Sequence, residues 1–309
     1  MAFDPASIPP RLIEAARNRT LIPLVGAGLS AQAGPHFPGW NDLLHGLRDF
    51  AVRSGRLSPE AGAEVGRLMQ RGSNLMAAQA LKRTLPTYEY LGFLRDKFNS
   101  EGVRPTPVHR ALLRLRAPMY LTTNYDRLLE NAYAVEYGGV PTVATYQNVF
   151  LAQERLLDGR YASVPLIYKI HGTIDDPASI ILSEWDYRTL MHSSPGYRLV
   201  LHALFLTHTV LMIGFSFADP ELRLLLETNR EALKHFNAPD YMLLPQDAVG
   251  PVESLRLYED FGVQVIPYDP SDNHRELLDF VRYLADQVPA ERPAVVAGGH
   301  LLVADAGVG

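Results

Sequence analysis

Cysteine is absent from this sequence of 309 residues. Without a thiol the chain has no disulfide bond, no cysteine nucleophile, no iron–sulfur cluster and no zinc site with cysteine ligands. A surplus of basic residues is also missing, because 29 lysine and arginine residues stand against 34 acidic ones. The resulting formal net charge of −5 argues against a protein whose main task is to bind nucleic acid through its phosphates.

Long apolar runs are missing as well. The longest, Leu199–Phe217, is interrupted by two histidines and a threonine and is too polar to cross a membrane. The first twenty residues carry early charges and lack the apolar centre of a secretory signal. Since 47% of the residues are apolar, the composition is that of a globular protein. We therefore expect a soluble, cytoplasmic protein without a membrane partner.

Short apolar strands alternate with helical patterns along most of the chain. The predicted strands are Leu21–Val25, Met119–Thr122, Leu166–Ile170, Ile180–Leu182, Val210–Ile213, Tyr241–Leu244 and Val263–Pro267. The helices predicted around them are 9–18, Asp126–Tyr133, Tyr197–Leu206, Pro220–Phe236, Val252–Tyr258 and His274–Ala285. Strands without polar alternation are typical of a mostly parallel sheet that is covered on both faces. The predicted fold class is therefore α/β, with a Rossmann-like sheet between two layers of helices.

One segment departs from this alternation. Residues 40–115 show helical spacing throughout and predict four or five short helices with no strand among them. We interpret them as a helical insertion after the first strand. The predicted core then comprises residues 1–39 and 116–288, and residues 289–309 are expected to form a loose or docking tail.

The first predicted strand ends in a glycine-rich turn. The residues Gly26–Ala31, GAGLSA, fit the pattern G-x-G-x-x-G/A, in which glycines allow backbone amides to approach a diphosphate. The acidic residue that usually follows at the end of a second strand is missing, which disfavours an ordinary dehydrogenase. The alternative is that these glycines only shape the turn between strand and helix.

Three later strands end in polar residues that would meet at the same sheet edge. Asn124 offers two donors and one acceptor there, although Thr123 and Asp126 also resemble a capping box that opens a helix. His171 follows a buried strand directly before a glycine, and its pKa suits proton transfer near neutrality; a purely structural histidine is the alternative.

The last of these strand ends is the sequence GFSFADP, Gly214–Pro220. Asp219 and Pro220 predict a helix start, while Gly214 and Ser216 suit a second cradle for a nucleotide. Ser183 is interpreted as a plain helix cap. The ten histidines show no metal-binding spacing, so no metal site is predicted.

Taken together, the four segments GAGLS, TTNYD, KIHG and GFSFADP resemble the sirtuin superfamily in order and spacing, over about residues 18–285. Two departures point to a branch of it: the four-cysteine zinc ribbon is absent, and the sequence GPHFPGW, Gly34–Trp40, replaces the usual cofactor loop. These features resemble the zinc-free, sirtuin-like NAD hydrolase domains of bacterial antiphage defence.

That resemblance implies hydrolysis of NAD, which is then a substrate, without zinc. It implies catalysis by Asn124 and His171, with support from Asp126. Its expected dinucleotide-binding residues are Gly26, Ala27, Gly28, Ser30, Trp40, Thr123, Gly214, Ser216 and Asp219. It also implies control by self-oligomerisation, by a helicase-like ATPase or by an Argonaute-type partner. The alternatives are an NAD-dependent protein deacylase and a non-catalytic sensor of NAD or ADP-ribose.

Overall fold

The computed structural model describes residues 3–34, 37–99, 101–158, 164–217, 219–232 and 238–289. Within these ranges, seven parallel strands form one sheet in the order β3-β4-β2-β1-β5-β6-β7. The strands are β1 Leu21–Val25, β2 Met119–Thr122, β3 Thr142–Thr145, β4 Leu166–Lys169, β5 Thr209–Ile213, β6 Asp240–Pro245 and β7 Val263–Tyr268. The predicted fold class is confirmed.

The helices lie on both faces of this sheet and above one of its edges. Those before β2 are α1 Pro10–Arg17, α2 Ala27–Ala31, α3 Trp40–Arg53, α4 Pro59–Gln70, α5 Asn74–Thr84, α6 Thr87–Phe98 and α7 Pro107–Arg114. Those after it are α8 Leu128–Tyr137, α9 Val149–Asp158, α10 Glu184–Ser193, α11 Pro195–Thr207, α12 Pro220–Ala232, α13 Pro251–Phe261 and α14 Ser271–Asp286. None of the described helices has the length and apolar character that a membrane crossing requires.

The strands are uniformly apolar because both faces of the sheet are buried. In β1, Leu21 and Val25 pack with α1, α7, α8 and α14 on one side, whereas Ile22 and Leu24 pack with α9, α11 and α12 on the other. Successive side chains of a strand point to opposite faces, so each strand must supply apolar residues to two cores. This explains why the strands contain no polar alternation.

The described part of residues 40–115 forms the five helices α3 to α7, which agrees with the four or five helices predicted there, but these helices do not all pack together. The helices α3 to α6 share a core of their own, which includes Leu44, Leu47 and Leu94 and reaches Tyr125. Helix α7 packs instead against α8 and α14 on the sheet. The helical layer over the sheet edge is therefore formed by α3 to α6.

Strand β3 and helix α9 were not predicted from the sequence. Strand β3 is a short edge strand of the sequence TVAT, and its two threonines leave no continuous apolar run. Helix α9 covers the sheet next to it. An edge strand has a neighbour on one side only, so its residues need not form the continuous apolar run that marks a central strand.

Two local predictions were wrong. Ile180–Leu182 is not a strand: its residues are apolar because they are buried between two cores, and a single backbone bond of 3.0 Å joins the Ile181 amide to the His171 carbonyl. The capping box of Thr123 and Asp126 does not form, because α8 begins only at Leu128, whose amide donates to Asp126 Oδ1.

The boundaries of α10 and α14 can also be compared with the sequence predictions. Ser183 caps α10 in a capping box with Asp186, as expected for a plain helix cap. Three residues within α14, 272–274, have left-handed backbone angles, so regular helix begins after His274. The predicted tail lies almost entirely outside the described residues.

Candidate active site

The polar strand ends of β4, β2, β1 and β5 are neighbours, since these four strands are adjacent in the sheet. Strand order reverses around β1, and parallel sheets bind ligands beyond such a reversal. A cavity of about 600 Å³ lies there, within the size range of small-molecule sites. All twelve predicted site residues but Gly26 line this cavity: Ala27, Gly28, Ser30, Trp40, Thr123, Asn124, Asp126, His171, Gly214, Ser216 and Asp219.

Asn124 is held in one orientation by its side-chain donors. Its Nδ2 donates to the Gly26 carbonyl at 3.0 Å and to Ser30 Oγ at 2.9 Å. A carbonyl can only accept, so the two ends of the carboxamide are not interchangeable. The remaining atom, Oδ1, is buried without a hydrogen-bond partner among the described residues. A buried acceptor of this kind needs a donor from water or a ligand.

Ser30 and Asp126 complete a chain of hydrogen bonds behind Asn124. Ser30 Oγ donates to Asp126 Oδ2 at 2.7 Å and accepts from Asn124. Asp126 is 4% exposed and uses its other oxygen for the Leu128 amide. Asp126 thus holds Ser30 in place, Ser30 contacts Asn124, and the same carboxylate caps the start of α8.

The glycine-rich turn packs tightly against the loop after β5. The amides of Gly26 and Gly28 donate to the carbonyls of Ile213 and Gly214, each at 2.9 Å. Gly214 has a φ of +66°, and a Cβ atom there would lie 2.3 Å from the Leu29 nitrogen. Glycine is thus required for the two loops to approach each other. The amides of Gly26 and Gly28 are therefore already used within the protein.

His171 lies at the end of β4 and is 3% exposed. Its Nε2 is 3.5 Å from Asp219 Oδ2 and 3.5 Å from Glu221 Oε2. Burial lowers the pKa of His171, whereas the charges of Asp219 and Glu221 raise it, and the balance lies above the ordinary value. His171, Asp219 and Glu221 each offer one ligand atom within 4.8 Å of the others, so this group has the composition of a divalent-cation site.

Sequence reasoning missed several residues of this region. Lys169, fully buried, donates to the Asp126 carbonyl and forms an ion pair with Glu130 at 3.0 Å, which fixes the loop that carries Asn124. Glu221 and Tyr187 meet His171 from two different helices. Lys169 belongs to the KIHG motif, which did not reveal its role, and Glu221 and Tyr187 come together with His171 only when the sheet and its helices assemble.

The cavity continues past β5 to the ends of β6 and β7. Leu244, Tyr268 and His274 line it there, and Glu253 of α13 reaches it from the side. On the opposite side the wall is formed by Phe37, Trp40 and Phe98, so the helical layer closes over the sheet edge. The space is thus elongated along the sheet edge and lined mainly by apolar side chains.

Comparison with known proteins gives consistent matches. Residues 118–266 match the family model of the SIR2-like domain. Over 283 residues the chain is 26% identical to the NAD(+) hydrolase ThsA of Cytobacillus dafuensis, an alignment that covers 92% of this chain and 52% of that protein. It is 27% identical over 240 residues to the NAD(+) hydrolase ThsA of Enterococcus faecium, covering 76% and 45%.

A third relative is defense-associated sirtuin 2 of Bacillus subtilis, 25% identical over 260 residues, with 82% of this chain and 24% of that protein covered. The chain therefore spans about half, or less, of the length of these curated relatives.

Proposed function

We propose that this chain, which carries a SIR2-like domain over residues 118–266, hydrolyses NAD⁺ to nicotinamide and ADP-ribose. The observation that carries the proposal is the orphaned Oδ1 of Asn124, at the same cavity that His171 lines. A buried acceptor and an imidazole beside one elongated cavity are the groups that a dinucleotide-cleaving site needs.

The chemistry makes modest demands on the protein. Breaking the bond between C1′ of the ribose and the pyridinium nitrogen releases neutral nicotinamide, so the leaving group needs no general acid, unlike a sugar alkoxide. The enzyme must orient the ribose, stabilise positive charge on it and place a water molecule. NAD is thus a substrate, and no zinc takes part in the proposal.

Asn124 would supply the orientation. Both hydrogens of its amide are used within the protein, so Oδ1 is left to accept a hydrogen bond from a ribose hydroxyl or from the attacking water. Asp126 contributes through Ser30, which it holds against Asn124. An acceptor fixed in this way loses little freedom when the substrate binds.

His171 would accept the proton that the attacking water or a ribose hydroxyl gives up. General base catalysis of this kind contributes about 10²- to 10⁴-fold to the rate. The water oxygen bonds to C1′ as the electron pair of the broken bond stays with nicotinamide. The glycine-rich turn, Trp40, Thr123 and Ser216 would hold the rest of the dinucleotide along the cavity.

The test is product analysis by liquid chromatography after incubation of the purified protein with NAD⁺. We expect nicotinamide and ADP-ribose in equal amounts, and no cleavage by Asn124→Ala or His171→Ala, both with an unchanged circular dichroism spectrum. If both variants keep wild-type turnover, the site assignment is wrong. An O-acetyl-ADP-ribose product formed from acetylated peptide would instead establish a deacylase, and tight NAD binding without turnover a sensor.

The biological role that we propose is depletion of NAD during antiphage defence. Support comes from the names of the relatives, which are NAD(+) hydrolases and a defense-associated sirtuin. Uncontrolled NAD hydrolysis would harm a resting cell, so we expect control by oligomerisation or by a defence partner such as a helicase-like ATPase or an Argonaute-type protein. Assays of the chain alone and with candidate partners would distinguish these modes of control.

A further inference from the structure

Three side chains bring one polar atom each to a buried place beside the cavity. His171 Nε2, after β4, lies 3.5 Å from Asp219 Oδ2, just before α12, and 3.5 Å from Glu221 Oε2, in the first turn of α12. All three atoms lie within 4.8 Å of one another, and the side chains are 3%, 8% and 4% exposed. We call this group the His–Asp–Glu cluster.

The imidazole nitrogen of the cluster is not satisfied by the protein. His171 Nε2 is buried and has no hydrogen-bond partner among the described residues, although it faces two carboxylates. Hydrogen bonds from nitrogen to oxygen commonly span about 2.7–3.2 Å, which is shorter than the 3.5 Å found here. Two bonds to zinc of about 2.1 Å that meet at the tetrahedral angle hold their ligand atoms about 3.4 Å apart. The spacing therefore suits ligands that share one ion.

The charge of the cluster also favours a cation. Two carboxylates this close together and this well buried are unfavourable unless a positive charge compensates them. Among the described residues, their ion-pair partner is His171 alone. A neutral imidazole leaves both negative charges uncompensated, whereas one divalent ion balances them.

Donors behind the carboxylates hold them in place, as hydrogen bonds do for ligands in protein metal sites. Tyr187 OH donates to Asp219 Oδ2 at 2.8 Å, and Tyr197 OH donates to Glu221 Oε2 at 3.2 Å. The second oxygen of Asp219 accepts from the Leu222 amide. The oxygens that face His171 are therefore oriented by groups from α10, α11 and α12 before any ion binds.

The ligand atoms select the class of ion. An imidazole nitrogen suits zinc and related transition metals, whereas Mg²⁺ and Ca²⁺ prefer oxygen ligands alone. Three protein ligands leave one position of a tetrahedral ion for water. Because His171 and Asp219 line the cavity, a water molecule from the cavity can take that position.

We propose that the His–Asp–Glu cluster binds one divalent ion of the zinc class and that the bound ion stops NAD⁺ hydrolysis. Only the inhibitory part rests on the proposed function. A neutral imidazole has one nitrogen lone pair, so an ion that holds it leaves His171 unable to accept a proton from the attacking water. The ion is thus an inhibitor and not a cofactor. Histidine spacing predicted no metal site, because the cluster has one histidine and two carboxylates from a distant part of the chain.

The first test is binding of Zn²⁺ alone, measured by isothermal titration calorimetry on protein that a chelator has freed from metal. We expect a site for one Zn²⁺ per chain that is lost in Glu221→Gln, and visible absorption bands of four-coordinate Co²⁺ at the same site. Glu227→Gln, at an exposed carboxylate of the same helix, is the matched control and should bind Zn²⁺ like the wild type. If no Zn²⁺ site depends on Glu221, the proposal is overturned and the cluster is an ion pair of an imidazolium.

Tyr197→Phe keeps the test decisive if Glu221→Gln does not fold. It removes only the hydroxyl behind Glu221 and should weaken Zn²⁺ binding by about 10- to 100-fold, as is usual for a group that orients a ligand. Unchanged affinity in this variant would contradict the proposal.

The second test is NAD⁺ cleavage at increasing Zn²⁺ concentration. Turnover should fall as the site fills and should return when a chelator removes the ion, and Tyr197→Phe should need about 10- to 100-fold more Zn²⁺ for the same loss. Stimulation by Zn²⁺, or inhibition that is the same in Tyr197→Phe, would overturn the inhibitory role. If Zn²⁺ binds as expected while NAD⁺ is not cleaved without it, the proposed function fails and the ion site stands.

Discussion

At the scale of single residues, the candidate site depends on how one carboxamide is oriented. Asn124 donates to a carbonyl after β1 and to a serine in α2, and these fix which of its atoms faces the cavity. A substitution at any residue that holds Asn124 in place should therefore lower catalysis, even if that residue does not contact the substrate.

Ser30→Ala tests this dependence. The change leaves one hydrogen of Asn124 and one oxygen of Asp126 without a partner, which costs about 1–3 kcal/mol of stability. The kcat for NAD⁺ should fall roughly ten- to a hundredfold through misplacement of Asn124, with a smaller change of KM. Ser54→Ala, at a hydroxyl that donates to a helix carbonyl and does not line the cavity, is the control for kinetic assays and thermal melts. Wild-type kcat in Ser30→Ala would remove the positioning role of the serine.

Whether a site residue could be predicted from the sequence depends on its position in the strands and helices. Asn124 and His171 end buried strands, and strand ends meet at one edge in any parallel sheet, so their placement at one cavity could be anticipated. Glu221 could not be recognised in this way, since the first turn of a helix carries no signal of what it will face, and Lys169 was only a letter of the KIHG motif without an assigned role. The sequence likewise suggested Ser30 as a nucleotide contact, whereas its hydroxyl is used by Asn124 and Asp126.

At the scale of elements, the turn after β1 and the loop after β5 together shape one part of the cavity wall. A Cβ atom at Gly26 would lie 2.4 Å from the Gly214 carbonyl oxygen, and one at Gly214 would lie 2.3 Å from the Leu29 nitrogen, so neither position accepts a side chain without a shift of the backbone. The glycine-rich motif was predicted from the sequence, but the reason for it differs in part from the expected one. The structure shows that these glycines allow one loop to pack closely against another.

Gly214→Ala tests that packing. A methyl group there would collide with the backbone of Leu29 while a non-glycine residue is forced to positive φ, which together cost about 2–5 kcal/mol. Chemical denaturation measures the loss. Gly92→Ala is the control, because its Cβ would meet nothing within 4 Å inside α6, and it should gain roughly 0.5–1 kcal/mol. Equal stability of the two variants would contradict the account of the loops.

For the helical layer, the sequence predicted the helices but not how they pack. Repeated apolar spacing predicted four or five helices in residues 40–115, where the structure has α3 to α7, because a helix that packs on one side must repeat its apolar residues. It could not indicate that α7 packs on the sheet while α3 to α6 cover the cavity. We propose that the helical subdomain comprises α3 to α6, a narrower segment than the 40–115 expected from the sequence.

At the scale of the whole molecule, the sheet carries a buried acid that links folding to pH. Asp240, 9% exposed at the start of β6, accepts a hydrogen bond from the Val210 amide at 2.8 Å. Burial raises its pKa from 3.8 to about 8, against the smaller opposing effect of that hydrogen bond. The folded state therefore favours the protonated acid, and this contribution to stability is complete below pH 3.8 and is lost as the pH rises to about 8.

Asp240→Asn keeps the acceptor and removes the titration. The free energy of unfolding of the wild type, measured in urea from pH 5 to pH 8, should fall relative to the variant by about 1 kcal/mol per pH unit. The variant should therefore be the more stable protein at pH 8. A constant difference between the two proteins over this range would show that Asp240 titrates at its ordinary pKa.

The SIR2-like match covers residues 118–266, from just before β2 into β7, and it includes three of the four motifs behind the resemblance to sirtuins: TTNYD, KIHG and GFSFADP. The order and spacing of the motifs along the chain supported the predicted resemblance, because the motifs mark strand ends that a parallel sheet brings to one edge. The orientation of a bound dinucleotide within the cavity can be measured only with the dinucleotide present. It decides whether the nicotinamide ribose lies over Asn124 and His171 or at the far end, near Tyr268.

A crystal structure of His171→Ala with NAD⁺ bound measures this directly. We predict that a hydroxyl of the nicotinamide ribose, or a water molecule beside its C1′, lies about 3 Å from Oδ1 of Asn124. If the adenosine half occupied that end and the nicotinamide ribose lay beyond β6, the central claim would be contradicted.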